Sequence, residues 1–546
     1  MAMVGRSHSK NQLSTLEHPL RRDAVFHFTR PWTILLFFMA VCGLTVIPVS
    51  AQDGALPAMP PPITTIPSDG FNMKVVEQVS PYYVITTLDP PVFNWFAGTF
   101  TNLPTDKEVT IGLNMNGMDI TGGKADVSKW VGLKPVMTYG DPTKYETYEW
   151  FQKDAQGRWV SGDPLKQDDD KYAGTGKTPI QKAIPEELAK EFLSLDGTYW
   201  QPWREVETAD AVTTLNIFRI RQRYSMPTVT IAMHIPYTYS FQQELIRRLQ
   251  LARFPGVSID VIGVTPTFRR LQVIRIDDPS YKTEFTIGEI KHGTTVRFEP
   301  CFIMRDPAGI PIPDSYKVIL IIAREHGSEP TSSWVVYGSI CKLLEDTPEA
   351  RQLRKNTTWL LLPIEDVDGS IYSCYEGLTV YFRPEEQLDP RYGAKLPIEV
   401  GAYMRYLRGF TNFKFPIAAA VSLHNIECNE GGHFFSPFIT AIDQDIIRSF
   451  NRNIFSALKV KEFNTDTGYG QTCGSMSSRL FGWCGLQFGS LCLMFETNDR
   501  FPAHRLTNRE VQSMGQILVK QLSIFFHNPM GIVRLQAVHE KLVSTY

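Results

Sequence analysis

Four apolar runs in the second half of the chain are each followed by residues that can bind a metal ion or work beside one. The runs and the residues that follow them are 318–323 with His326 and Glu329, 359–364 with Asp366 and Asp368, 417–423 with His424, and 491–495 with Glu496. A catalytic zinc ion takes three protein ligands, for which two imidazoles and one carboxylate are a common set, and keeps its fourth position for water. A further carboxylate can then accept the proton of that water.

The four apolar runs predict buried parallel strands, because such strands read as continuous hydrophobic stretches. In open α/β sheets the residues just beyond the carboxyl ends of the strands meet in one crevice, even when they lie far apart in sequence. A helix is predicted from Ser332 to Leu344, beginning in a Pro-Thr-Ser-Ser cap. His326 and Glu329 are therefore expected on a strand-to-helix loop. We predict His326, Glu329 and His424 as metal ligands and Glu496 as the general base.

Structural interpretations of the same residues remain open. A His followed three positions later by Glu arises about once by chance in a chain of this composition, so the spacing alone decides little. A histidine on an apolar run is often a hydrogen-bonded core residue, and Glu496 could form an ion pair with Arg500 or Arg505. Glu325 is expected to pair with Arg324 or with a partner across the cleft. The shared position at strand ends favours the metal interpretation.

These motifs resemble the M14 zinc carboxypeptidases, and within them the cytosolic-carboxypeptidase branch and its bacterial relatives. By motif, the resemblance implies that His326 and Glu329 are two zinc ligands, His424 is the third and Glu496 is the base. It also implies one zinc ion per chain and the C-terminus of a peptide or protein as the substrate. The implied fold is a mixed α/β sheet of about eight strands with helices on both faces.

The chain departs from the family pattern around the substrate carboxylate. The stretch Pro363–Gly369 is similar to the family's Pro-x-x-Asn-Pro-Asp-Gly segment, with Asp366 and Val367 in place of Asn and Pro. The family's next Arg is missing from residues 370–377, and the nearest candidate is Arg383. An Arg fork binds a carboxylate bidentately. Loss of one such Arg predicts altered substrate choice or lower exopeptidase activity.

Two further substrate-binding residues follow from the resemblance. Tyr469 is the nearest candidate for the family's mobile tyrosine upstream of the base. Arg479 lies by the segment that is similar to the family's pocket for the departing residue. If Arg479 projects into that pocket, peptides with an acidic C-terminal residue are favoured.

Composition is that of an ordinary folded enzyme. The 546 residues are 43% hydrophobic and carry a net charge of −2, which gives no electrostatic footprint for nucleic acid. The chain is long enough for more than one core. Seven of the eight cysteines lie after residue 51, so a full set of disulfides is not implied, and Cys341 and Cys492 are expected to be buried thiols.

The N-terminal region predicts export. Residues 1–51 contain arginines, then the apolar stretch Trp32–Val49 and a small-residue cleavage pattern, as in a signal peptide. A secreted or periplasmic protein is expected. The apolar stretch could also span a bilayer if it is not cut, so an N-terminal membrane anchor is the alternative. Residues 52–68 form a proline-rich linker.

Two folded domains are predicted after the linker. Residues 69–245 are expected to form an antiparallel β-sandwich, with alternation in Val109–Met115 before a hairpin-type Asn116-Gly117 turn. Residues 246–546 are expected to form the catalytic domain, with a peripheral strand Leu271–Ile276 and a closing helix Thr507–Phe526. The segment Pro236–Tyr239 resembles the element that joins the two domains in the cytosolic-carboxypeptidase branch; interdomain packing is the alternative interpretation of its tyrosines.

The resemblance implies a zinc metallocarboxypeptidase that hydrolyses C-terminal peptide or isopeptide bonds. Two alternatives remain open at this point. One is a zinc amidohydrolase or deacylase that uses the same metal ligands on a small or cell-wall substrate. The other is a catalytically silent peptide-binding module, which is favoured if the metal is absent.

Overall fold

The computed structural model describes the chain from residue 61 to residue 527, with gaps. The described residues are 61–89, 91, 95–120, 123–139, 151–153, 159–161, 203–292, 295–305, 312–373, 398–411, 417–425, 433–435, 452–453, 456, 480–497, 500–501 and 504–527. The predicted leader at 1–51 lies outside them. Among the described helices, none combines the length and the apolar character needed to cross a bilayer.

Short strands dominate the first part of the described chain. They are β1 Thr64–Ile66, β2 Met73–Ser80, β3 Tyr83–Leu88, β4 Ala97–Thr101, β5 Glu108–Asn114, β6 Asp119–Ile120, β7 Gly123–Lys124, β8 Val136–Thr138, β9 Phe151–Lys153, β10 Trp159–Ser161, β11 Arg204–Glu205, β12 Thr208–Val212, β13 Ile217–Arg223 and β14 Val229–Ala232. A 3-10 helix spans Val127–Trp130. Two five-stranded sheets result, in the orders β1-β4-β14-β8-β11 and β12-β13-β5-β3-β2.

The two five-stranded sheets share one hydrophobic core. On β13 the residues alternate between buried and less buried, so that Phe218 and Ile220 point inward. They join one buried cluster with residues of the other sheet, such as Phe100 and Ile231. The ring of Trp130 lies 5.5 Å from that of Phe218, edge to face. The predicted antiparallel sheets are therefore present.

Two details of this region differ from expectation. β3 and β5 pair in parallel, so the sandwich is not antiparallel throughout. A turn is present at Asn116-Gly117, where Gly117 has φ 73°. It does not make a hairpin of β5, because β5 pairs with β13 and β3. The residues of a turn predict that the chain changes direction there. Which strands become partners depends on packing between residues that lie far apart in sequence.

The second part of the chain mixes helices and strands. Its elements are α1 Tyr239–Ala252, β15 Val257–Val264, β16 Arg270–Ile276, β17 Lys282–His292, β18 Thr295–Arg305, β19 Lys317–Ala323, α2 Pro330–Leu344, α3 Pro348–Arg354, β20 Thr357–Leu362, α4 Val367–Tyr372, α5 Ile398–Thr411, β21 Ile417–Asn425, β22 His433–Phe435, α6 Leu480–Phe488, β23 Leu491–Thr497, β24 Arg500–Phe501, β25 His504–Arg505 and α7 Asn508–His527.

A seven-stranded mixed sheet forms the centre of this part, in the order β15-β16-β20-β19-β21-β23-β22. Its middle strands β20, β19, β21 and β23 are parallel neighbours, as the four apolar runs predict. Every residue of β20 and β21 is buried. The predicted peripheral strand, β16, is not the edge: β15 covers it as an antiparallel partner. β15 was missed because Ser258 and Asp260 interrupt its apolar residues, so it does not read as a continuous apolar run.

Helices pack against this sheet, as in the mixed α/β fold that was expected. Helix α2 is buried over its whole length between the sheet and α7. It begins at Pro330, two residues before the predicted start, with Pro at the first helical position. Cys341 and Cys492 are buried free thiols, as predicted.

Candidate metal centre

The carboxyl ends of three adjacent parallel strands bring the predicted metal-binding residues together. Ala323 at the end of β19 pairs with Leu423 of β21, and His424 on β21 pairs with Glu496 on β23. Parallel strands in register end at the same edge of the sheet, so residues about 170 positions apart become neighbours there. This is the edge at which the sequence predicts the site.

The backbone leaves the regular strand conformation at Arg324, immediately after β19. Arg324 has φ 58°, in the left-handed region that non-glycine residues rarely occupy. Its buried guanidinium donates to the carbonyl oxygens of Tyr237 and Gly327. Its own carbonyl accepts a hydrogen bond from the Asp366 amide at 3.0 Å. These bonds stabilise an otherwise unfavourable turn that directs residues 325–329 toward β21.

Glu329 is the N-cap residue of α2, yet its side chain does not cap the helix. The carboxylate points instead to the imidazoles, and its Oε2 accepts the Asn425 backbone N–H at 3.1 Å. The side chain of Asn425 accepts from the Ser332 amide at 2.9 Å and from the Thr497 hydroxyl at 3.0 Å. Asn425 thus ties the ends of β21 and β23 to the start of α2, which holds Glu329 in place.

His326, Glu329 and His424 form one buried group. Each offers one ligand atom, and these atoms lie within 4.8 Å of one another. The Nδ1 atoms of the two histidines are 3.3 Å apart. Glu329 Oε1 lies 2.7 Å from His326 Nδ1, and its Oε2 lies 3.0 Å from His424 Nδ1.

The spacing of these atoms fits a zinc ion. With Zn–N distances of about 2.0–2.1 Å, two ligand atoms at tetrahedral positions are separated by roughly 3.3 Å. The separation of the two Nδ1 atoms, 3.3 Å, agrees with that edge length. The set of two imidazoles and one carboxylate is also the donor set of catalytic zinc. The residues present therefore fit the metal that the sequence predicts.

The ionisable side chains of the site are buried close to one another, which shifts the pKa values of Glu329 and His424. Burial would by itself raise the pKa of Glu329, but the charges of His326 and His424 hold that pKa well below its usual range. Burial would likewise lower the pKa of His424, but Glu329 and Glu325 raise it to about 10. The carboxylates of Glu329 and Glu325 both lie beside the His424 imidazole, and their negative charges favour a positive charge in the site. A divalent metal ion would supply that charge.

Glu496 lies beside the metal-binding group and not within it. It pairs directly with His424 across β21 and β23, so both side chains leave the sheet on the same face. The Glu496 side chain is partly exposed, whereas His424 is buried. The role of Glu496 as the general base stays a prediction.

The three predicted substrate-binding residues, Arg383, Tyr469 and Arg479, lie outside the described residues. Their roles stay predictions. The Pro363–Gly369 stretch is described, and it lies against the loop of residues 324–329, which we call the metal loop. The Glu365 amide donates to the Ala323 carbonyl at 2.9 Å, and Asp366 caps α4 by accepting from the Gly369 amide at 2.8 Å.

Asp368 connects this stretch to the β15–β16 hairpin. Its buried carboxylate accepts from the hydroxyl of Thr265 at 2.9 Å and pairs with Arg269 at 3.2 Å. Its role in the described structure is thus to anchor the hairpin beside the site.

Sequence reasoning gave no role at the metal site to two residues that contact its ligands. Asn425 was overlooked because an Asn after a strand has no spacing rule; its position directly after His424 was the only signal. Glu325 was expected to pair with Arg324 or across the cleft, and the second alternative is observed: its Oε2 lies 3.2 Å from His424 Nε2.

Gly327 packs against the backbone of Gly369 and Ser370 so closely that no side chain fits between them. This close packing gives a first prediction. A Cβ at this position would lie 2.1 Å from the carbonyl carbon of Gly369 and 2.5 Å from the Ser370 amide nitrogen. We expect Gly327→Ala to force the metal loop away from Pro363–Gly369, lowering the free energy of unfolding by about 1–3 kcal/mol or more and weakening zinc binding. Denaturant unfolding and zinc titration measure both effects.

Gly401→Ala is the matched control for this prediction. Its Cβ would meet only the flexible end of Arg405, at 3.3 Å, and it lies within helix α5. Alanine there is expected to be neutral or stabilising by roughly 0.5–1 kcal/mol. Equal stability and equal zinc binding in Gly327→Ala and the wild type would contradict the close packing of the two loops.

Comparison with known proteins agrees with this fold. Residues 244–387 match the zinc carboxypeptidase family, M14. The matched segment of the chain contains His326 and Glu329, and it ends before His424. The predicted resemblance to M14 is therefore confirmed, whereas the cytosolic-carboxypeptidase branch stays a prediction. No curated protein matches the chain in sequence.

Solved structures share the fold at low sequence identity. A metallo-carboxypeptidase from Burkholderia cenocepacia is 14% identical, with a TM-score of 0.53 over 85% of this chain and 98% of its own. A metallo-carboxypeptidase from Pseudomonas aeruginosa, solved in complex with (2-guanidinoethylmercapto)succinic acid, is 14% identical, with a TM-score of 0.54 over 86% of this chain and 98% of its own. These similarities concern the zinc carboxypeptidase fold.

Proposed function

We propose that the protein is a zinc-dependent carboxypeptidase that hydrolyses C-terminal peptide or isopeptide bonds. The observation that carries the proposal is the buried group of His326, Glu329 and His424, whose ligand atoms face one another at the ends of adjacent parallel strands. The match of residues 244–387 to the zinc carboxypeptidase family supports a peptidase. The two observations overlap at His326 and Glu329, and the structure adds His424, which lies outside the matched segment.

In the proposed mechanism each residue has a defined task. His326, Glu329 and His424 would hold one zinc ion, which when bound would polarise the scissile carbonyl as a Lewis acid and acidify water. Glu496 accepts a proton from the attacking water and donates it to the leaving amine, since a carboxylate can act as a base and then, once protonated, as an acid. Arg383 neutralises the terminal carboxylate of the substrate, and Arg479 selects an acidic terminal side chain.

Part of the sequence favours a second candidate, a zinc amidohydrolase. Residues 370–377 lack the Arg with which the family holds the terminal carboxylate, and Asp366 replaces the family's Asn. An enzyme without carboxylate capture would cleave amides without requiring a free C-terminus. Export of the protein to the periplasm or the exterior, with cell-wall material as a substrate class, would suit that candidate.

Product analysis tests the proposal and separates the two candidates. The zinc-loaded protein is incubated with matched peptides that end in Glu, Lys or Phe, each with a free or an amidated C-terminus, and mass spectrometry follows the products. Loss of single residues from the free peptides alone supports the proposal. Equal cleavage of the amidated peptides, or no residue release from any peptide, would contradict it. Preference for C-terminal Lys would contradict the role of Arg479.

A further inference from the structure

The outer nitrogen of His424 has its own polar partners, on the side of the ring away from the other metal-binding residues. His424 Nε2 lies 3.2 Å from Glu325 Oε2 and 3.1 Å from Ser422 Oγ. Its Nδ1 faces His326 and Glu329. All of these groups are buried, so protein atoms satisfy the ring on both sides.

The chemistry of these partners decides which nitrogen carries the hydrogen. A hydroxyl such as that of Ser422 can donate or accept, so it imposes no tautomer. An ionised carboxylate only accepts, and Glu325 therefore requires a hydrogen on Nε2. In the neutral imidazole the lone pair is then on Nδ1, which points into the metal-binding group. Histidine ligands commonly donate their second N–H to a carboxylate, which orients the ring and increases its basicity.

The irregular backbone after β19 makes this contact possible. In a regular strand, consecutive side chains point to opposite faces, so Glu325 and His326 could not both reach His424. The left-handed conformation of Arg324 ends the strand before them. Both side chains then reach the same imidazole, one on each ring nitrogen.

We propose that Glu325 is a positioning residue of the metal centre, whose carboxylate accepts the Nε2–H hydrogen bond of His424 and holds Nδ1 toward the metal. This inference rests on the zinc site of the proposed function. Glu325 acts through His424 and needs no contact with the substrate. It accounts for a buried carboxylate that the hydrolytic mechanism does not otherwise use.

Two substitutions of Glu325, each by a residue of similar size to glutamate, test the proposal. Glu325→Gln keeps an oxygen that can accept the Nε2–H bond, whereas Glu325→Leu has no polar atom. Zinc affinity is measured by competition with a chelator of known affinity, and the visible spectrum of the cobalt-substituted protein reports ligand geometry. Glu325→Leu is expected to weaken zinc binding by roughly 10- to 100-fold and to shift the cobalt bands. Glu325→Gln is expected to restore most of the affinity and the wild-type spectrum.

Glu345→Leu is the control for a general loss of stability. Glu345 is also buried, but it occupies the C-cap position at the other end of α2, roughly 24 Å along the helix from Glu329. Its substitution is expected to leave zinc affinity unchanged in the folded protein. Three outcomes would overturn the role of Glu325: wild-type affinity and spectrum in Glu325→Leu, equal weakening in Glu345→Leu, or no recovery in Glu325→Gln. Failure of the wild type itself to bind zinc would instead overturn the proposed zinc site.

Discussion

Glu496→Gln is expected to lower kcat for release of the C-terminal residue by about 100- to 10,000-fold, the range in which positioned acid–base groups contribute. The amide is nearly the same size as the carboxylate but cannot accept a proton from water. KM and zinc content are expected to change little, because Glu496 lies beside the ligand group and is not part of it. Steady-state kinetics on the best peptide substrate, with metal analysis of the same samples, measure all three quantities.

Glu349→Gln is the matched control for this substitution. Glu349 forms ion pairs with Lys342 and Lys520 at the far end of α2, away from the strand ends that carry the site. Its variant is expected to keep wild-type kcat. If Glu496→Gln retained more than about half of the wild-type kcat, a different group would have to accept the proton, because loss of a general base has a far larger effect.

Glu329→Ala is expected to abolish zinc binding at concentrations that saturate the wild type. It removes the carboxylate that contacts both imidazoles, and the loss should exceed the roughly 10- to 100-fold effect of losing a residue that only orients a ligand. Zinc at about 100 times its Kd should raise the free energy of unfolding of the wild type by about 2.7 kcal/mol. The variant is expected to show no such stabilisation, as measured by thermal unfolding with and without zinc.

Two comparisons make this result specific. Glu349→Ala, which removes a remote carboxylate, should retain one zinc per chain and the full stabilisation. Glu329→Gln keeps the volume of the side chain and part of its hydrogen bonding to the Asn425 amide. It is therefore expected to fold even if Glu329→Ala is too unstable to be tested. Zinc binding by both Glu329 variants with wild-type affinity would show that the metal binds elsewhere.

The sequence predicted the part of the site that depends on regular structure. Buried parallel strands read as continuous apolar runs, and β19, β20, β21 and β23 were recognisable for that reason. The rule that ligands gather beyond the carboxyl ends of parallel strands then brought His326, Glu329 and His424 together. The observed group confirms that these three residues meet.

The contacts that hold the ligands in place could not be predicted in the same way. Glu325 reaches His424 only because Arg324 adopts a left-handed conformation, and a buried arginine in that region has no sequence signature. That conformation is stabilised by the carbonyl of Tyr237, 87 residues earlier in the chain. Tyr237 itself packs edge to face on Trp334 of α2, with ring centroids 5.0 Å apart. Tyr237 of the Pro236–Tyr239 segment therefore also supports the metal loop.

Pairing errors have the same origin. The parallel contact of β3 with β5 and the edge position of β15 are decided by which strands pack together, not by the residues of one strand alone. Local patterns therefore predicted where strands occur better than they predicted which strands are neighbours.

Anomalous diffraction at the zinc absorption edge, from crystals of the zinc-loaded wild-type protein, locates the bound metal. We expect one strong peak, about 2.0–2.1 Å from Nδ1 of His326 and of His424 and about 2.0–2.2 Å from a carboxylate oxygen of Glu329. A fully loaded crystal with no peak between these three residues, or with its zinc bound to other side chains, would contradict the proposed zinc site.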